Sequence, residues 1–127
     1  MKIFVVEDQP IELKLAVTVL SAAGHEVARA DAAEKALVEI KENLPEVILL
    51  DLSLPGMDGL TLTRKLKADP ATRAIPVVAV TSYPEHFPQS EALAAGCDAY
   101  LTKPLSTRTL PDLLAGLVAQ AEPEVDP

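Results

Sequence analysis

A single cysteine, Cys97, is all the thiol chemistry in this chain of 127 residues, so neither an intramolecular disulfide nor a thiolate metal cluster can form within it. Cys97 reads as a small buried hydrophobe. Histidine is nearly as scarce, and neither His25 nor His86 stands in a metal-ligand pattern. Positive charge is short: 11 Lys and Arg face 19 Asp and Glu, and the net charge of -8 repels a nucleic-acid backbone and an anionic membrane surface alike. No direct nucleic-acid or membrane partner is expected. No apolar run approaches membrane-spanning length, and Met1 to Val6 lacks the apolar core and cleavage site of a signal peptide, so the cytoplasm is the expected location. Where a nucleotide or flavin carrier would place a glycine-rich phosphate loop after the first strand, Asp8-Gln9-Pro10 stands instead.

What is present suits one domain: the length is sufficient for a single shared core, and 49% hydrophobic with 24% charged residues excludes disorder. Five short apolar segments recur at Ile3 to Val6, Glu26 to Ala30, Val47 to Leu50, Val77 to Val80 and Ala99 to Leu101. Helical patterns lie between them. Ile11 to Ala23 is apolar around much of its circumference and stops at Gly24, which leaves one face for a partner. After Asp31, an expected N-cap in a capping box with Glu34, the stripe Ala33, Ala36, Leu37, Ile40 and Leu44 predicts a second helix. Asp58 to Lys67 and Gln89 to Ala95 predict two more. Ser106 is the expected cap of a last helix with the stripe Leu110, Leu113, Leu114, Leu117 and Val118. Alternation of this kind predicts an α/β fold with a doubly wound parallel sheet, each crossover carrying a helix. Residues 1–120 form the expected domain, and 121–127 an acidic tail or linker stub.

Ligands of open parallel sheets bind beyond the carboxyl ends of the strands. There the first strand ends in Glu7 and Asp8, the third in Asp51, the fourth in Thr81 and Ser82, and the fifth leads to Thr102 and Lys103. With the second strand at an edge, three carboxylates, a hydroxyl and an ammonium converge on one rim. Such carboxylates ionise together cheaply only around a cation, and hard oxygen donors point to Mg²⁺, an ion that usually serves a phosphate. Lys103 would balance that phosphate, Thr81 could donate to it, and Asp51 is the best-placed carboxylate to accept it as an aspartyl-phosphate. An isolated Asp at a strand end is more often a turn residue, so the weight rests on the coincidence of these groups. Asp58-Gly59 and Pro55-Gly56 read as turn and helix-start chemistry. Tyr100 reads equally well as plain core.

Val5-Val6-Glu7-Asp8, the run from Leu50 through Asp51 to Gly59, Ala79-Val80-Thr81 and Ala99-Tyr100-Leu101-Thr102-Lys103-Pro104 together resemble the receiver domain of two-component response regulators, over roughly residues 2 to 119. The resemblance implies a flavodoxin-like (βα)5 sheet of strand order 2-1-3-4-5. It implies that Glu7, Asp8, Asp51 and the backbone carbonyl of Ser53 hold Mg²⁺, and that Asp51 takes phosphoryl from a histidine kinase or histidine phosphotransfer protein. It makes Thr81 and Lys103 the phosphate-binding pair, Thr81 and Tyr100 the switch residues, and Lys103-Pro104 a cis peptide. Pro10, Ile11, Leu15 and Leu105 become candidates for partner docking.

Such a protein is no enzyme toward other molecules: it catalyses only its own phosphorylation and dephosphorylation. Its output passes through a downstream protein target, as a monomer or weak dimer. Departures from the family pattern are Glu7 for the commoner aspartate, Ser82 for a small alanine, and Pro84 and Pro88 stiffening the loop after Thr81. Ser53 and Tyr83 occupy positions that, in the family, tune phosphoryl loss. The alternatives are a phosphorylation-independent scaffold, a receiver trimmed from a longer regulator, and an unrelated enzyme or flavin carrier on the same sheet.

Overall fold

The computed structural model describes residues 1–121. Five strands and five helices alternate: β1 (Lys2–Val6), α1 (Pro10–Ala22), β2 (Glu26–Ala30), α2 (Ala33–Glu42), β3 (Val47–Asp51), α3 (Gly59–Ala68), β4 (Val77–Thr81), α4 (Gln89–Ala95), β5 (Ala99–Thr102) and α5 (Leu110–Ala121). All neighbouring strands pair in parallel, in the order β2-β1-β3-β4-β5. Every residue of β3 and β4 is buried, as strands covered on both faces require, whereas edge strand β2 exposes Glu26, Ala28 and Arg29.

Because side chains alternate along a strand, the sheet divides its apolar residues between two cores. Phe4, Val6, Ile48, Leu50, Val77 and Ala79 pack with α2, α3 and α4. Ile3, Val5, Val47, Leu49, Val78 and Val80 pack with α1 and α5. On α1 only Ala16 and Leu20 are fully buried, while Ile11 is 85% and Leu15 52% exposed, which leaves the apolar face expected from the sequence.

Several expected boundaries differ. The capping box before α2 does not form: Ala32 is the N-cap, Asp31 pairs with Lys35 instead, and the Glu34 carboxylate accepts a hydrogen bond from the Met57 amide at 2.7 Å. Leu44 lies beyond the end of α2 and is exposed, because Pro45 disfavours helical backbone at the residue before it. Residues 107–109 form a turn whose Ser106 carbonyl accepts from Thr109 and Leu110, so α5 starts at Leu110 and Ser106 does not cap it. Leu110 and Leu114 are buried, but Leu113 is partly out in solvent. Residue 121 belongs to α5, and the remainder of the expected tail, 122–127, lies outside the described residues. No helix among the described residues is long and apolar enough to cross a membrane.

Candidate functional site

The parity that divides the cores also sorts the polar strand ends. Glu7 continues the Ile3, Val5 series, Asp51 the Val47, Leu49 series and Lys103 the Ala99, Leu101 series, all on the α1 and α5 face. Thr81 continues Val77 and Ala79, and Tyr100 packs against the same cluster, on the opposite face. Three of the expected residues therefore meet directly. The Lys103 Nζ donates to Glu7 Oε1 at 2.6 Å and to Asp51 Oδ2 at 2.9 Å, and its third donor goes to Glu12 on α1. The second oxygens of the two buried carboxylates are held by backbone: Gln9 N–H donates to Glu7 Oε2 at 3.2 Å and Ser53 N–H to Asp51 Oδ1 at 2.8 Å. The Lys103–Pro104 peptide between β5 and α5 is cis.

Burial raises the Glu7 carboxyl, and its hydrogen bond and charge repulsion with Asp51 raise it further; Lys103 pulls it down only in part, leaving it at about 8. For Lys103, burial alone would disfavour the charge, but hydrogen bonds to Glu12, Glu7 and Asp51 outweigh it and hold the ammonium well above the usual lysine range. Lys103 thus stays charged, while burial and the neighbouring Asp51 oppose ionisation of Glu7. One ammonium does not compensate the cluster. Carboxylate oxygens of Glu7, Asp8 and Asp51 lie within 4.8 Å of one another, a donor set of hard oxygens that could hold a metal ion. Asp8, Glu12, Asp51, Ser53, Tyr83 and Lys103 are among the residues that line a cleft of about 300 Å³ above them.

The loop from β3 into α3 is built tightly beside Asp51. Asp58 caps α3 by accepting from Thr61 N–H at 2.8 Å. Gly59 comes so close to the end of β3 that a Cβ there would lie 2.6 Å from the Leu52 Cα and 2.7 Å from the Asp51 carbonyl oxygen. Glu34 pins the same loop from α2 through Met57. The role of Gly59 is close approach, beyond the helix-start chemistry legible in the sequence.

Other expected residues stand apart from the Lys103 network. Thr81 is buried, with its hydroxyl accepting from Tyr83 N–H at 2.9 Å. Tyr100 is half-buried and donates its hydroxyl to the Phe87 carbonyl at 2.6 Å, tying β5 to the loop before α4. Within that loop the Tyr83 carbonyl accepts from both His86 and Phe87, a single helical turn, and α4 begins only after Pro88. Among the docking candidates, Pro10 opens α1, and Leu15 and Leu105 do border the network: they line an apolar cavity of about 130 Å³ between α1 and the start of α5 that Glu7, Asp51 and Lys103 also line. Glu12 escaped the sequence reading. The i, i+5 spacing from Glu7 carries no signal by itself, since its partner lies 91 residues away in sequence.

Residues 3–115 match the family model of the response regulator receiver domain. The chain is 41% identical over 104 residues to the response regulator PleD of Caulobacter vibrioides, covering 82% of this chain and 23% of PleD. It is 36% identical to the polar-differentiation response regulator DivK of Brucella ovis, covering 82% of this chain and 85% of DivK. It thus spans about a quarter of PleD but most of DivK. Among solved structures, the receiver domain of the sensor histidine kinase PA1611 of Pseudomonas aeruginosa, with magnesium coordinated in its active site cleft, superposes with a TM-score of 0.86 at 27% identity, over 93% of this chain and 97% of that one. A CheY-like receiver protein from Methanospirillum hungatei gives 0.88 at 28% identity, over 94% of each chain.

Proposed function

The chain belongs to the response regulator receiver domain family, and from that premise we propose that it is a signalling switch that accepts a phosphoryl group on Asp51 and changes which protein it binds. One observation carries this most: a lysine ammonium and an Asp–Glu pair joined at the carboxyl ends of central strands, with a third carboxylate within 4.8 Å. Glu7, Asp8, Asp51 and the Ser53 carbonyl would hold Mg²⁺. Bound there, the ion supplies positive charge for the incoming phosphoryl oxygens.

The remaining work belongs to the chain. Glu7, Asp8 and Asp51 sum to minus three when ionised, and Lys103 with a divalent cation sums to plus three. An Asp51 oxygen attacks phosphorus, the bond from phosphorus to the donor's imidazole nitrogen breaks, and the imidazole leaves with that electron pair. Lys103 turns one donor from Asp51 to the new phosphoryl oxygens. The Thr81 hydroxyl, now accepting from Tyr83, has its own hydrogen free to donate once it swings toward Asp51. That movement draws on the loop that Tyr100 holds, so the readout is a population shift on the α4 and β5 surface. A histidine kinase or histidine phosphotransfer protein docks at Pro10, Ile11, Leu15 and Leu105; the exposed Ile11 and Leu15 support this face.

The test is intact mass after incubation with Mg²⁺ and a small acyl-phosphate donor, followed by transfer from phosphohistidine proteins. One added phosphoryl group is expected, absent from Asp51→Asn and from a chelated sample. Folded protein that gains no phosphoryl group from either donor class would leave the phosphorylation-independent scaffold in its place.

A further inference from the structure

All three N–H donors of Lys103 go to carboxylates, but the three partners are not equivalent. Glu7 and Asp51 are buried and belong to the set that could hold a metal. Glu12 stands outside that set, on the first turn of α1, with 45% of its side chain exposed. A divalent cation and an ammonium seeking the same two carboxylates compete for them: each takes lone pairs from the other, and their like charges repel. With the other oxygen of each buried carboxylate held by the Gln9 or Ser53 amide, the oxygens given to Lys103 are those a cation would most readily take. Among the described residues, Glu12 is the one partner of Lys103 that does not belong to that three-carboxylate set.

We infer that Glu12 is a positioning residue, which receives the Lys103 ammonium when a divalent cation takes Glu7 and Asp51. Glu12 lets the site exchange one cation contact for another without stranding a partly buried lysine, and it keeps Lys103 within reach of a phosphoryl group on Asp51. The inference rests on the phosphoacceptor reading of the site and adds a residue to it.

Calorimetric titration of the full chain with Mg²⁺ alone tests it, in a double-mutant cycle of Glu12→Gln and Lys103→Met. For a partly exposed ion pair, Glu12→Gln is expected to weaken Mg²⁺ binding about three-fold. Lys103→Met is expected to strengthen binding by removing the competitor, and on that background Glu12→Gln should change nothing. The Lys103 Nζ resonance provides a second readout: in the wild type it persists in Mg²⁺, and in Glu12→Gln it broadens on metal addition. Equal affinity of wild type and Glu12→Gln would overturn the inference. A three-fold loss that survives in Lys103→Met would overturn it too, because Glu12 would then act on the cation through its charge alone. If the wild type binds Mg²⁺ no better than Asp51→Asn, the metal site of the underlying reading fails as well, an outcome distinct from the other two. Because Glu12 is exposed, its substitution leaves the core intact, and Glu12→Ala gives an independent second variant.

Discussion

Gly59→Ala isolates the tightest backbone approach at any of the glycines from the conformational effects of glycine. The φ of Gly59 is not positive, so an alanine is sterically allowed by its own backbone. What opposes it is space: the added Cβ would meet Leu52 Cα at 2.6 Å, the Asp51 carbonyl oxygen at 2.7 Å and Leu52 Cδ2 at 2.9 Å. Two of these are backbone atoms that no rotamer change can move. Relief requires α3 to back away from β3 by something on the order of 0.7 Å, against Leu52, Leu62 and Leu66, all at 0% exposure. Overpacking of this kind costs about 1–3 kcal/mol, and backbone contacts on both sides argue for the upper half, so about 2–3 kcal/mol is expected. That corresponds to a fall in Tm of about 6–12 °C for a domain of this size. The control is Gly116→Ala in α5, where a Cβ meets nothing within 4 Å and helix propensity should stabilise the chain by up to about 1 kcal/mol. Urea denaturation of the two variants beside the wild type measures both. If Gly59→Ala lies within about 0.5 kcal/mol of the wild type, the close approach relaxes freely and does not explain this glycine.

Tyr100→Phe removes the hydroxyl that the Phe87 carbonyl accepts, and chemical denaturation should show a loss of about 0.5–1.5 kcal/mol. Phosphoryl uptake by Asp51 in the same variant should match the wild type by intact mass, since Tyr100 touches neither the carboxylates nor Lys103; a large loss of uptake would contradict that separation. The pH dependence of metal-free protein follows from Glu7, whose carboxyl rises from 4.5 unfolded to about 8 folded. Folding favours its protonated form, so this contribution is fully present below 4.5 and is lost as pH rises through about 8. The urea midpoint should therefore fall between about pH 5 and about pH 9, and Glu7→Gln should flatten the profile. Asp31 and Asp69, whose carboxyls are lowered by hydrogen bonds and by Lys35 and Lys41, act below this window, with the opposite slope. A flat wild-type profile would refute the assignment to Glu7.

The elements easiest to read in the sequence are those that the sheet buries on both sides. Val47 to Leu50 and Val77 to Val80 are continuous apolar runs because helices cover both faces, and the order of strands follows the family resemblance. Glu7, Asp51 and Lys103 were legible for the same reason: each ends an apolar series of fixed period. What the sequence hid are choices between equally good local partners. Asp31 could have capped α2, but a lysine one turn away takes it, and Glu34 reaches a loop amide 23 residues on. Glu12 and Gly59 owe their roles to distances fixed only when helix and strand meet. No local pattern encodes those distances.

The parallel ladders place the rim residues on a staircase. Val6 pairs with Leu50, one step before Glu7 and Asp51; Asp51 pairs with Val80 and Val80 with Leu101, so Thr81 stands one step higher and Lys103 two. Adding or deleting one residue inside β1, β3 or β5 would turn its rim residue to the other face and dissolve the ion-paired cluster, even if the strand still formed. The connections at the other end of the sheet carry no such count. Ala23 to His25 and Asn43 to Leu44 are short and solvent-facing and should change length without moving any rim side chain, whereas Asp69 to Pro76 carries the buried Thr72 and Ile75. Tolerance to insertion therefore differs sharply between the two ends of the molecule, and a tag or reporter spliced into the exposed Ala23–His25 connection should leave the chemistry at Asp51 in place.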